Sequence, residues 1–308
     1  MNLPLLTLFE IERYENLWLA LRAAGPRRAD RLMTELAALD SERYESAAER
    51  RDGRVASAAR ARTAMQSLPA VPRHLIDEAA NRYGTYGPRM QRDASYIMLW
   101  LSDRDRLSEV VTVEGRKHLD DALAADRGVL ALPLHLGASY VIPPLLGHIH
   151  PTRFVVNRMN VETLKRFAFP DLDVAGFPLD DTTTFRRGLR ALKAGQIFAM
   201  FPEYDPRGQD HRHQEVDFLG SRIKAPQGPA LLSAAAGSPM IPMQLDADGD
   251  GRFVLRVHEP IPAPVTENDI ATAVSCLWNL IAALLLDGRL GDWEMWTDFD
   301  RMQPGGGT

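Results

Sequence analysis

The spacing of apolar and polar positions changes character near residue 112. Up to about residue 105 the pattern is helical. "SERYESAAERRDGRVASAARARTAMQSL" is rich in alanine, arginine and glutamate, all strong helix formers. Pro69 and Pro72 break that run, and "RHLIDEAANRYGTYGPRMQRDASYIMLWLS" resumes it, with Gly84 and Gly87 predicting an interruption. Beyond about 112, short β-type runs alternate with helical ones. "GVLALPL", "RFVVN", "IFAMF", "EVDFL", "MIPMQL" and "RFVLRVH" read as strands, and 115–125, 139–148, 182–194, 226–237 and 267–287 as helices. Alternation of this kind predicts an α/β fold with a mostly parallel central sheet flanked by helices, plus a helical N-terminal region. The expected division is a helical region at 1–105 packed on the core, an α/β domain at 106–302 and a flexible tail at 303–308.

Bulk composition narrows the class. The chain has 308 residues, 45% hydrophobic and 25% charged, which is ordinary for a globular protein. A net charge of −5 gives no case for nucleic acid as a partner. One cysteine, Cys276, excludes an intramolecular disulfide and a multi-cysteine zinc site; its place in "VSCLWNLIAALLL" predicts a core position. The first 25 residues are apolar but interrupted by Glu10, Glu12, Arg13 and Glu15, so a signal peptide is not expected. Leu5, Leu6, Leu8, Phe9 and Ile11 are expected to pack on the fold rather than on a membrane surface. No apolar run reaches the ~18 uninterrupted residues of a membrane span. The expectation is a soluble, cytoplasmic protein, with peripheral membrane contact as an alternative.

Two strand ends carry candidate chemistry. In "GVLALPLHLGASY", His135 follows a buried β-type run with Gly137 two places on, at the carboxyl edge where open α/β sheets bind ligands. In "FAMFPEYDPRGQD", a strand ends in Pro202, Glu203, Asp205, Arg207 and Gly208, a set suited to a phosphate, a carboxylate or a polar headgroup, or else to a solvated turn. "GSPMIPM" reads as a tight turn into a strand. The pairs "HIH" at 148–150 and "HRH" at 211–213 lack a completing carboxylate or cysteine, so no metal is expected. "LHLGAS" lacks dinucleotide-fingerprint spacing and no G-x-S-x-G elbow occurs, so no cofactor and no α/β-hydrolase chemistry are expected.

Four blocks in order carry a resemblance. "VTVEGRKHLDDALAADRGVLALPLHLGASY", "FRRGLRALKAGQIFAMFPEYDPRG", "EVDFLGSRIKAPQGPALLSAAAGSPMIPMQL" and "DWEMWTDFDRM" together resemble the bacterial lipid A late acyltransferases, within the glycerol-phosphate and lysophospholipid acyltransferase superfamily. The resemblance runs from about 110 to 302. It implies acyl transfer from an acyl carrier protein or coenzyme A thioester, with His135 as general base. It implies acceptor-binding positions at Glu203 and Arg207, and a basic residue at Arg158.

The chain departs from that pattern at Tyr140, where the family has Asp or Glu; at Asp298, where histidine is common; and in the expected absence of a membrane anchor. A phenol does not stabilise an imidazolium as a carboxylate does. Glu203 or Asp205 is the candidate to supply that carboxylate from the neighbouring loop. The expected site is therefore His135, Tyr140 and Glu203 for catalysis, with Arg158, Asp205 and Arg207 for substrate. A polar or carrier-bound acceptor in a specialised pathway is the leading reading. The alternatives are elimination, cyclisation or another group transfer on a carrier-bound substrate, and a non-catalytic subunit that stabilises a protein partner.

Overall fold

Residues 15–44, 47–125, 127–156, 161–179, 181, 183–203 and 212–304 are described by a computed structural model. Helices at Glu15–Ala24, Pro26–Tyr44, Ala47–Gln66, Arg73–Tyr83, Tyr86–Met98 and Arg104–Val110 precede the sheet. The break predicted at Pro69 and Pro72 lies between the third and fourth of these, and that predicted at Gly84 between the fourth and fifth.

Among the described residues nine strands follow: β1 (Val111–Glu114), β2 (Val129–Gly137), β3 (Thr152–Val156), β4 (Val174–Pro178), β5 (Ile197–Ala199), β6 (His213–Phe218), β7 (Ser221–Pro226), β8 (Met240–Gly249) and β9 (Arg252–Val257). Seven form one sheet in the order β1-β9-β8-β2-β5-β3-β4, and β6 with β7 form a separate hairpin. All neighbours in the large sheet run parallel except β8 and β9. The fold is thus α/β with a mostly parallel sheet flanked by helices.

Central strand β2 shows why. Parallel sheets are covered on both faces, so their middle strands are apolar throughout. Val129 to Leu134 are all buried. Leu130, Leu132, Leu134 and Leu136 join one core cluster and Val129 and Ala131 the other, as two-residue alternation requires. Both clusters also take side chains from the preceding helices. Tyr96 to Leu101 pack into the first, and Met65, Leu68, Ile76 and Tyr83 into the second.

By length and composition alone, Glu267–Asp292 would be long and apolar enough to cross a membrane, although no span is expected from the pattern of apolar runs. In the fold its helix, Glu267–Leu284, buries Val274, Leu277, Trp278 and Ile281. Trp278 meets Phe218 edge-on at 5.2 Å, which locks that face into the core. Cys276 corrects the expectation of a core cysteine. It lies on the opposite face of this helix and is exposed, because Val274, Leu277 and Trp278 occupy the buried stripe.

Candidate active site

The catalytic-type geometry begins where β2 loses its neighbour. β2 pairs with β8 through Pro133↔Met243, then shifts register before Gly137↔Leu245. Two extra residues on β2 bow the strand there, and Pro133 has no N–H to donate. Gly137 ends the bow at φ +61°, and a Cβ at that position would stand 2.4 Å from the Leu245 carbonyl oxygen. Only glycine fits such a conformation and approach without strain.

On the other side β5 pairs with β2 through Val129↔Ile197, Leu130↔Phe198 and Ala131↔Ala199. His135 and Glu203 stand 68 residues apart, the same offset. The strands have parted by then, and the Glu203 side chain spans the gap. Its Oε1 accepts the backbone N–H of His135 at 2.6 Å, and its Oε2 meets the His135 Nδ1 at 2.9 Å. Trp293 Nε1–H approaches Oε1 at a longer 3.4 Å. Glu203 is fully buried.

A carboxylate only accepts, so Nδ1 carries the proton and Nε2 is left as the free, basic nitrogen. Burial pulls the imidazole pKa down, but the charge and hydrogen bond of Glu203, with smaller effects from Glu294 and Asp298, outweigh it, and the net direction is up. The Phe201 ring packs over the imidazole with centroids 4.1 Å apart.

Tyr140 takes a different place from the one its position suggests. Its ring stands edge-on to His135 with centroids 6.0 Å apart, while its hydroxyl donates to both carboxylate oxygens of Glu294 at 2.8 Å. Burial, then the neighbouring Glu294, pushes the phenol far up, so it remains a protonated donor. Sequence reasoning did not single out Glu294. It arrives through the C-terminal segment, where Leu136 forms an antiparallel bridge with Trp293. Asp292 anchors that segment through Arg82 at 2.8 Å and Arg89 at 2.9 Å, and Tyr83 donates to the Glu294 carbonyl at 2.9 Å.

Of the six residues expected at the site, the structure brings His135, Tyr140 and Glu203 together; Arg158, Asp205 and Arg207 lie outside the described residues. "HIH" is architectural. His148 Nε2 bonds the Leu101 carbonyl at 2.8 Å and His150 Nε2 bonds that of Gly195 at 2.9 Å. No cluster of three potential metal ligands occurs among the described residues.

Residues 54–283 match the family model described as bacterial lipid A biosynthesis acyltransferase. The chain belongs to this family. Among its relatives, the phosphatidylinositol mannoside acyltransferase of Mycolicibacterium smegmatis is 27% identical over 212 residues, covering 66% of this chain and 68% of that protein. Sequences of the same name from Mycobacterium tuberculosis are 28% identical over 234 residues, 73% of this chain and 70% of theirs. The protein is an acyltransferase-like enzyme, and a carboxylate that stands against its histidine removes the premise of a lost dyad on which the non-catalytic alternative rested.

Proposed function

We propose that the enzyme transfers an acyl group from an acyl carrier protein or coenzyme A thioester to a hydroxyl or amine, with His135 as general base and Glu203 as the residue that orients it. The observation that carries this reading is the two-point contact of buried Glu203 with the backbone N–H and Nδ1 of His135. Nε2 takes the acceptor proton as the acceptor oxygen or nitrogen attacks the thioester carbonyl. The imidazolium, held by Glu203, then returns that proton to the departing thiolate as the C–S bond breaks. Tyr140 borders the acceptor approach. Arg158, Asp205 and Arg207 bind anionic or polar groups of the substrates.

The donor is read as acidic. Arg186, Arg187, Arg190 and Lys193 are exposed along Thr184–Lys193, the helix that feeds β5, so its first turn lies towards the carboxyl edge of the sheet. A phosphopantetheine carrier or coenzyme A complements that charge.

For the acceptor we favour a polar or carrier-bound molecule, met by a soluble, cytoplasmic enzyme in a specialised pathway. The relatives' names favour a second reading, the hydroxyl of a membrane glycolipid. Thiol release from a panel of acyl carrier protein and coenzyme A thioesters tests the first step, with host extract or mannosylated phosphatidylinositol vesicles as acceptor source. Wild type should consume a thioester and His135→Ala should lose at least about a hundredfold in rate. Equal turnover by the two proteins would overturn the assigned base. Acylation of the vesicle lipid alone would replace the soluble acceptor with the glycolipid.

A further inference from the structure

The matched stretch ends at residue 283, yet the group nearest Tyr140 comes from beyond it. We propose that Tyr140 and Glu294 form a phenol–carboxylate pair that positions His135 and supplies negative charge to its rim, a second support distinct from Glu203. This rests on His135 being the base.

Three observations lead there. First, the contact is specific: one hydroxyl serves both oxygens of Glu294 at 2.8 Å while the same ring packs edge-on against His135 and at 5.3 Å against Phe201. Second, Glu294 is held from behind. Its carbonyl takes the Tyr83 hydroxyl, and its neighbours Asp292 and Trp293 are fixed by Arg82, Arg89 and the bridge to Leu136. Third, the charge is not cancelled. Among the described residues no lysine or arginine forms an ion pair with Glu294, and the nearby Arg82 and Arg89 both bond Asp292.

Among the described residues, the charged and titratable groups around the imidazole are Glu203 from the loop after β5, Tyr140 from the turn after β2, and Glu294 and Asp298 from the C-terminal segment. Tyr83 and Tyr86 stand behind these, the latter donating to the Gly137 carbonyl at 3.1 Å. Asp298 is paired with Arg301 at 3.2 Å, whereas among the described residues the Glu294 carboxylate takes its hydrogen bonds from a neutral phenol. Removing the Glu294 charge should therefore make the imidazolium harder to form.

The test is an NMR titration of the full chain carrying ¹³C-labelled histidine, with the His135 resonance assigned by its loss in His135→Gln. Glu294→Gln should lower the His135 midpoint by roughly half a pH unit or more, and Tyr140→Phe should lower it in the same direction by less. In the double variant the Tyr140→Phe effect should vanish, because the phenol acts on His135 by holding the Glu294 charge in place. A midpoint unchanged in folded Glu294→Gln would overturn the pairing, even with lowered thermal stability, since a merely structural residue does not move it. Should Glu294→Gln fail to fold, an unchanged midpoint in Tyr140→Phe overturns it instead. Failure of the acyl-transfer reading shows separately, as turnover that survives His135→Ala.

Discussion

A carboxylate stripped of water is tolerated only where donors replace the lost solvent, and Glu203 meets that condition with neutral donors: a backbone N–H, an imidazole N–H and, more distantly, an indole N–H. No guanidinium or ammonium from the described residues neutralises it, so its charge remains available to an imidazolium. Glu203→Gln keeps the shape and removes the charge. The carboxamide NH₂ would then face donors already occupying that space, which favours the wrong imidazole tautomer. We expect kcat to fall by about 10²–10⁴ with little change in KM, measured by steady-state thiol release; a drop confined to KM would mean that Glu203 binds substrate instead. At this scale the sequence was informative in part. His135 was legible because a histidine beside glycine after a buried run marks a strand end. Glu203 was legible only as one of two candidates, since choosing it over Asp205 requires the register of β2 on β5. Glu294 was not legible, because nothing within "DWEMW" records that it folds back onto the turn after β2.

The C-terminal segment brings Glu294 to the candidate site, and a small ion cluster links it to the N-terminal helices. Asp292 is 7% exposed and takes two hydrogen bonds from Arg82 Nε, one from Arg82 Nη2 and one from Arg89 Nη2. Both arginines belong to the helices Arg73–Tyr83 and Tyr86–Met98, so the link joins the N-terminal helices to the site. Asp292→Asn should cost about 1–3 kcal/mol in chemical denaturation. It should also lower turnover although Asp292 does not bond His135. Stability and rate both unchanged would show that Trp293 and Trp296, packed at 4.8 Å, hold the segment unaided. Two of the strands that sequence reading missed share a cause. β1 and β4 are the two edges of the sheet, and each buries a single position, Val111 and Val174. An edge strand is covered less than a central one, so it lacks the continuous apolar run that disclosed β2. β7 was hidden differently. It follows a two-residue turn at Leu219 and Gly220, both at positive φ, where a leucine gives no warning of a hairpin.

Across the whole molecule, with His135 as the proposed base, activity and stability are expected to follow pH in opposite senses. Its folded pKa is raised above the ordinary value of about 6.5. The stabilisation this provides is fully present below the unfolded value and is lost as pH rises through the folded one. The base form that accepts a proton appears over that same upper range. Turnover should therefore rise along an acid limb whose midpoint lies above about 6.5, while the difference in Tm between wild type and His135→Gln shrinks. A thermal-shift series run beside the pH–rate profile checks both, and a limb centred below 6.5 would exclude His135 as the titrating base. The α/β class was legible from periodicity because it depends on many positions at once. The closure of the site was not, because it depends on one bridge between Leu136 and Trp293.

That bridge has a consequence for how the enzyme is made. Chains are synthesised from the amino end, and β2 with its histidine is complete long before residue 293 exists. Until the bridge forms, Glu203 lacks its indole donor and Tyr140 lacks Glu294. The nascent polypeptide therefore carries His135 from early in translation without either contact, and a copy abandoned before Trp293 would leave the ribosome with that side of the candidate site unsupported.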